Sequence, residues 1–298
     1  MFMDREKIKA LITLLDDPND EVFETVENAL LKERVDIVPE LEKAWEESLN
    51  GLFQQRVENI IHSIQLNDIH EEFRTWLLSP NKDLLYGSYL VCKYQYPESS
   101  IVRLKEQLSE LRKDIWLELN EHLTSLEKIR IVNHVMFDVH GFSRNTSKYL
   151  APENNYISEV LNSHKGNPLS VSVIYSILCR ELGMPVFGVN LPKNFILAFV
   201  DESAMTENEN VSAEAAVLFY INPINKGAVL GRKEIEYFIK QQKLQPSEEY
   251  FLPCDNVTTI RRMLNNLSFG YDSKGEEEKK AEIQKILALF DDVNKDPK

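Results

Sequence analysis

The fold is decided by the stretch from Gly166 to Pro185, which reads GNPLSVSVIYSILCRELGMP. Its Gly-Asn start is typical of a turn, and Pro168 suits the first helical position, where its missing N–H costs nothing. The residues that follow are apolar on most faces of a helix, which predicts a buried central helix. Gly183 then predicts a left-handed C-cap, and Pro185 prevents the helix from continuing.

Short apolar segments follow this helix. Residues 186–190, 195–200 and 219–222 have the composition of strands, and a turn at 191–193 separates the first two. The polar segment 201–213 predicts an exposed loop between two strands. A buried helix followed by short apolar strands is typical of an α+β unit.

Several sequence blocks keep their order around the helix. The central ones are Gly-x-Pro-Leu-Ser, Leu-Gly-x-Pro and Gly-Val-Asn-x-Pro, with others upstream at 141–161 and downstream at 191–195 and 221–227. Together they resemble the transglutaminase-like core of the bacterial SirB family, over roughly residues 125 to 295. The block at 262–267 resembles the start of the helical segment that such proteins carry. Several ordered blocks are more specific than one short motif.

The resemblance implies three positions of chemical interest. Active members of the wider transglutaminase and papain-like group use a Cys-His-Asp arrangement, with the Cys at the N-terminus of the central helix. In this chain those positions fall on Pro168, Asn194 and Asn222. Proline carries no nucleophile, and asparagine cannot take up a proton near neutral pH. The resemblance therefore implies a pseudoenzyme, with no catalytic residue at these positions.

The first functional hypothesis is a non-catalytic protein- or peptide-binding, scaffold or regulatory module. Its remnant cleft is expected to bind a peptide or a small amide, with free backbone N–H groups near Ser170 favouring a carboxylate. Further candidate binding residues follow the same blocks: Asn167, Ser170, Ser172 and Asn225. A structural alternative for both serines is that they satisfy the N-terminus of the helix.

The second hypothesis is a hydrolase or acyltransferase of the cysteine-protease or transglutaminase type with relocated residues. The nucleophile would be Ser170 or Cys179, and the base would be His134 or His140. The structural alternatives are a small buried thiol at Cys179 and histidines without a catalytic role. The distance between a histidine ring and either nucleophile discriminates the two hypotheses.

Composition limits the classes of partner. The 298 residues carry a net charge of −14, which argues against nucleic acid and anionic membranes as partners. The partner expected from the first hypothesis is a protein or peptide. Three scattered cysteines predict a reducing cytoplasm, with no disulfide framework, metal site or cofactor. The early charges at the N-terminus and the lack of a long apolar run predict neither a signal peptide nor a membrane span.

Three regions are predicted along the chain. Residues 1–111 predict short amphipathic helices, and the first pair, joined at 16–22, resembles a HEAT-type repeat. That region is either a concave partner-binding surface or a plain helical domain packed on the core. Residues 112–255 are the predicted papain- or transglutaminase-like core, a central helix packed on a small antiparallel sheet. Residues 256–298 predict a C-terminal helical hairpin, so the expected class is α+β and mostly helical.

Overall fold

The computed structural model of the chain describes residues 4–201 and 216–293. It divides into two compact units, Met1–Thr75 and Trp76–Lys298. The boundaries predicted at residues 111 and 255 fall inside the second unit and stay predictions. The loop predicted at 201–213 lies outside the described residues apart from its first position. None of the described helices combines the length and the apolar character that a bilayer crossing requires.

The first unit is helical. It contains α1 (Arg5–Leu14), α2 (Asp20–Leu30), α3 (Val38–Glu47) and the start of α4 (Gly51–Leu78). The side chain of Asn19 caps α2 by accepting the N–H of Glu21, at the turn that the sequence predicts. Apolar side chains from the four helices and from the segments that join them form one core: Ile8, Ile12, Leu15, Val26, Leu30, Ile37, Val38, Leu41, Phe53, Val57, Ile60 and Ile64.

The second unit combines helices with two small sheets. Its helices are α5 (Leu84–Gln95), α6 (Ile101–Glu118), α7 (Ser125–Asn133), α8 (Ile157–Ser163), α9 (Pro168–Glu181), α10 (Arg232–Gln241), α11 (Asn256–Lys274) and α12 (Glu277–Val293). The last two pack against each other, which confirms the predicted C-terminal hairpin.

The larger sheet is antiparallel. A short parallel pair, β1 (Ser143–Arg144) and β2 (Lys165–Gly166), precedes α9. The four-stranded sheet follows in the order β3-β4-β5-β6: β3 (Val186–Val189), β4 (Ile196–Val200), β5 (Val217–Asn222) and β6 (Ala228–Leu230). The three predicted strands are confirmed, whereas β1, β2 and β6 were not predicted. The α+β class and the small antiparallel sheet are confirmed as well.

Helix α9 lies at the centre of the second unit. Asn167 is its N-cap, Pro168 is its first residue, and Gly183 follows it with a φ of 73°, as predicted. Every residue from Leu169 to Cys179 is buried. The helix contacts α5, α6, α8, β3 and β4. Such a helix is apolar on most sides because each side packs against a different element.

One asparagine connects the middle of α9 to the sheet. The hydroxyl of Tyr175, in α9, donates to Oδ1 of Asn133 at 2.9 Å. The Nδ2 of Asn133, in turn, donates to the carbonyl of Gly227 at 2.9 Å, in the turn between β5 and β6. The Tyr175 side chain is fully buried, so this pair of bonds satisfies a polar group that water does not reach.

Candidate functional site

A pocket of about 230 Å³ opens at the N-terminal end of α9. Its walls come from the loop before α8, the first turn of α9, the turn between β3 and β4, and one face of α11. Two of the predicted site residues, Asn167 and Pro168, line it. A second depression, beside Trp116 and Met184, contains none of the predicted site residues.

The first turn of α9 is fixed by a closed set of hydrogen bonds. Oδ1 of Asn167 accepts the N–H of Ser170 at 2.8 Å, and Oγ of Ser170 accepts the N–H of Asn167 at 3.1 Å. Nδ2 of Asn167 donates to Oδ1 of Asn155 at 2.6 Å. All three residues are buried, so this capping box holds the helix end rigidly at the pocket wall.

This cap corrects one expectation about the helix end. The N–H of Ser170 is bonded to Asn167 rather than free. Pro168 has no N–H, so the first turn leaves the amide of Leu169 as its remaining donor among the described residues. Ser172 does not contribute either, because its Oγ donates to the carbonyl of Pro168 at 2.6 Å. The helix end alone is therefore a weaker anion site than the sequence suggested.

The position predicted to correspond to histidine lies beside the pocket. Asn194 is half-buried in the turn between β3 and β4, where its backbone N–H donates to Leu191 at 3.2 Å. Its neighbours Lys193 and Phe195 line the pocket, and Asn194 itself does not. Lys193 has a φ of 64°, so the turn places consecutive side chains in different directions.

The position predicted to correspond to aspartate lies on β5. Asn222 pairs with Ala228 of β6, and its Oδ1 is buried without a hydrogen-bond partner among the described residues. Asn225 follows in a short 3-10 turn and is exposed. Neither asparagine lines the pocket. The structure therefore brings Asn167 and Pro168 into the pocket but leaves Asn222 and Asn225 outside its walls.

Helix α11 contributes a wall of the pocket that was not predicted from the sequence. Arg262, Asn266 and Phe269 line the pocket from one face of this helix. Nη1 of Arg262 donates to Oδ1 of Asn190 at 3.0 Å, and burial lowers the pKa of its guanidinium, which stays charged. Spacings of four and three residues place these side chains on one helical face, which is the signal that the sequence offered.

The loop before α8 supplies the opposite wall. Tyr149, Leu150 and Ala151 of this loop line the pocket. Asn154 holds this loop, because its Nδ2 donates to the carbonyls of Lys148 and Tyr149 at 2.6 and 3.2 Å. Asn154 is itself 3% exposed, which makes its hydrogen bonds costly to lose.

Within the described residues, neither candidate for a relocated nucleophile, Ser170 or Cys179, has a hydrogen bond to a histidine. The side-chain hydrogen bonds of Ser170 go to Asn167. His140 instead places its Nε2 2.9 Å from Oδ2 of Asp114, and His134 lies 3.6 Å from Asp138. Cys179 is fully buried, and burial raises the pKa of its thiol well above the usual value.

The described residues also contain no group of three or more His, Cys, Asp and Glu side chains arranged to hold a metal ion.

Comparison with known proteins gives two kinds of relative. F-box only protein 21 from Mus musculus and from Homo sapiens is 33% identical to this chain over 110 residues, which are 37% of the chain but 17% of each relative. A UPF0162 protein from Xylella fastidiosa (strain 9a5c) is 24% identical over 200 residues, covering 63% of the chain and 64% of that relative. The UPF0162 protein YchA of Escherichia coli (strain K12) is 21% identical over 214 residues, covering 70% of the chain and 73% of YchA.

No solved structure matches the chain. The family model of the transglutaminase-like superfamily matches residues 103–265, a range that includes α9, both sheets and Arg262. This range is more than half of the 298 residues. The chain therefore belongs to the transglutaminase-like superfamily.

Proposed function

We propose that this protein is a non-catalytic member of its superfamily, which acts as a protein- or peptide-binding, scaffold or regulatory module. One observation carries the proposal. Pro168, the residue assigned to the nucleophile position, begins α9 and lines the pocket at its end. A proline offers no group that attacks a carbonyl, whereas the pocket around it keeps space for a ligand.

The other two assigned positions support the same proposal. Asn194 and Asn222 carry amides, which donate and accept hydrogen bonds but do not shuttle protons near neutral pH. We place the protein in the SirB-type branch of the superfamily on the order of its sequence blocks. We propose a HEAT-like role in partner binding for the helices of Met1–Thr75.

The proposal includes a cytoplasmic location and a protein or peptide as the partner. The net charge of −14 favours a protein or peptide over nucleic acid or an anionic membrane. Cys92, Cys179 and Cys254 are free thiols, as expected for a protein of the cytoplasm.

The first test is capture of a partner by two matched variants. Asn266→Trp is designed to fill the pocket. Asn265→Trp places the same side chain at the preceding position of α11, which is exposed and does not line the pocket. Tagged wild type and both variants are used to capture and cross-link partners from native lysate, and mass spectrometry identifies the bound proteins. We expect one partner to be lost with Asn266→Trp and kept with Asn265→Trp.

Two other results have different meanings. A partner that both variants retain contradicts binding in the pocket and points to another surface, such as the helices of Met1–Thr75. Hydrolysis or transfer of acyl groups by the purified protein, abolished by Ser170→Ala, shows that it is an enzyme with relocated residues.

The three thiols are expected to react slowly with iodoacetamide in the native protein at pH 8. Burial raises the thiol pKa of Cys92, raises that of Cys254 to about 11, and raises that of Cys179 well above its usual value. The thiolate is the reactive form, so Cys254 is reactive in roughly one molecule in a thousand at pH 8. Its labelling rate should rise about tenfold per pH unit until the pH approaches its pKa.

Mass spectrometry of alkylated peptides between pH 7 and pH 10 measures these rates, with urea-unfolded protein as the control. Rapid labelling of Cys179 in the native protein would support the cysteine-dependent enzyme instead, because a nucleophilic thiol needs a lowered pKa.

A further inference from the structure

The pocket at the end of α9 has an unusual charge for this protein. Arg262 and Lys193 are the charged residues among the described residues that line it, and no carboxylate joins them. The chain as a whole carries a net charge of −14. Two cations grouped in a concavity of an acidic protein attract anions locally, because low-dielectric walls concentrate the field.

Neither cation has a carboxylate partner in the part of the chain that the structure describes. Nη1 of Arg262 donates to the neutral amide of Asn190, and Nζ of Lys193 lies 3.4 Å from the amide oxygen of Gln242. Arg261, the neighbour of Arg262, forms a 2.8 Å ion pair with Asp291. A partly buried guanidinium that lacks a counter-ion carries a desolvation cost that a bound anion would offset.

The rim of the same pocket is apolar. Tyr149, Leu150 and Phe269 line it and expose 46%, 49% and 59% of their surface. Exposed apolar side chains grouped around one concavity are typical of a binding site. The ligand that fits therefore combines an anionic group, for Arg262 and Lys193, with an apolar group for the rim.

The size of the pocket limits that ligand. Its volume of about 230 Å³ is below the range of roughly 300–1,000 Å³ that encloses a drug-sized molecule. It suits one residue at the end of a longer molecule. A carboxylate is small and planar, and it matches the guanidinium of Arg262 in a bidentate pair.

We propose that this pocket binds the free C-terminal carboxylate of a partner polypeptide, whose last side chain packs on Tyr149, Leu150 and Phe269. The inference rests on the proposed function, because it names the part of the partner that the cleft binds. Arg262 and Lys193 bind the carboxylate, and the amide of Leu169 at the start of α9 adds one donor. The C-terminal residue of a chain is favoured over an internal Asp or Glu. A chain bound through an internal residue has to cross the rim of the pocket on both sides of that residue.

The test uses N-acetylated tetrapeptide pools with mixed inner positions and Ala, Leu, Phe or Tyr at the end. Each pool is prepared with a free C-terminal carboxylate and as a C-terminal amide. A third set ends in Glu, and its C-terminal carboxyl group is amidated so that the Glu side chain is the anion at that end. Titration followed by protein NMR measures the dissociation constants. We expect the free carboxylates with Leu, Phe or Tyr to bind at least tenfold more tightly than their amides.

Two variants that each lose one positive charge distinguish a direct contact with the carboxylate from long-range electrostatic attraction. Arg262→Gln removes the proposed ligand contact, and Lys148→Gln removes an exposed charge near the pocket that does not line it. We expect about a tenfold loss of carboxylate binding for Arg262→Gln and less than a twofold loss for Lys148→Gln at 0.15 M salt. Amide spectra of both variants confirm that they fold.

The results distinguish this inference from the proposed function. Equal binding of carboxylates and amides, equal losses in both variants, or no binding by any pool overturns the inference. Preference for the pools that are amidated after a terminal Glu also overturns it, because that anion is a side chain. If these results appear while Asn266→Trp alone still abolishes partner capture, the cleft binds a partner by other chemistry and the proposed function stands.

Discussion

Gly227→Ala is expected to destabilise the second unit by about 3–5 kcal/mol, which is a large effect for a single methyl group. Gly227 has a φ of 69°, and a Cβ built there would lie 1.7 Å from Oδ1 of Asn133. The left-handed backbone costs an alanine about 1–2 kcal/mol, and the overlap adds the rest. Asn133 cannot move away freely, because it bonds both Tyr175 and the carbonyl of Gly227.

Gly275→Ala is the matched control for this prediction. Gly275 has a φ of 76°, but no atom lies within 4 Å of its built Cβ, so the substitution introduces backbone strain without overlap. Urea unfolding followed by circular dichroism should give a loss of about 1–2 kcal/mol for Gly275→Ala. Equal losses for both variants would show that the contact with Asn133 does not constrain this turn.

The elements best predicted from sequence are those with local signals. Pro168 and Gly183 mark the two ends of α9 by backbone chemistry alone, so the helix is confirmed almost to the residue. Strand β6 was missed because its three residues, Ala228–Leu230, are too few to show an alternation. It forms by pairing with β5, an interaction that the segment itself does not reveal.

The site was predicted in part for the same reason. Asn167 and Pro168 belong to the block that marks the start of α9, and they do line the pocket. Arg262 and Phe269 lie about a hundred positions further along and reach the pocket through tertiary packing, which sequence spacing cannot show. Arg262 also lies within an amphipathic helix, where a charged residue is usually explained by solvent exposure.

Gly166→Ala is the second variant with a large expected effect, and it connects the fold to the pocket. A Cβ at Gly166 would lie 2.6 Å from Oγ of Ser170 and 3.0 Å from both γ carbons of Val160. Val160 is fully buried, so the methyl group has no free direction. We expect a loss of about 2–4 kcal/mol in the free energy of unfolding, since overpacking and a disturbed cap act together.

Gly51→Ala serves as the control, because no atom lies within 4 Å of a Cβ placed on Gly51. The free energy of unfolding of this variant should be unchanged or slightly higher.

The double variant Gly166→Ala, Val160→Ala distinguishes the two causes of the loss, which are the overlap with Val160 and the disturbed cap at Ser170. If the two γ methyl groups of Val160 are the obstacle, the second substitution recovers part of the loss despite the cavity that it creates. If nothing is recovered, the displaced hydroxyl of Ser170 carries the effect, and the NMR signal of the Leu169 amide should shift in the single variant. A Gly166→Ala protein with wild-type stability would mean that the first turn of α9 yields easily, and the pocket wall would then lack the rigidity that the capping box implies.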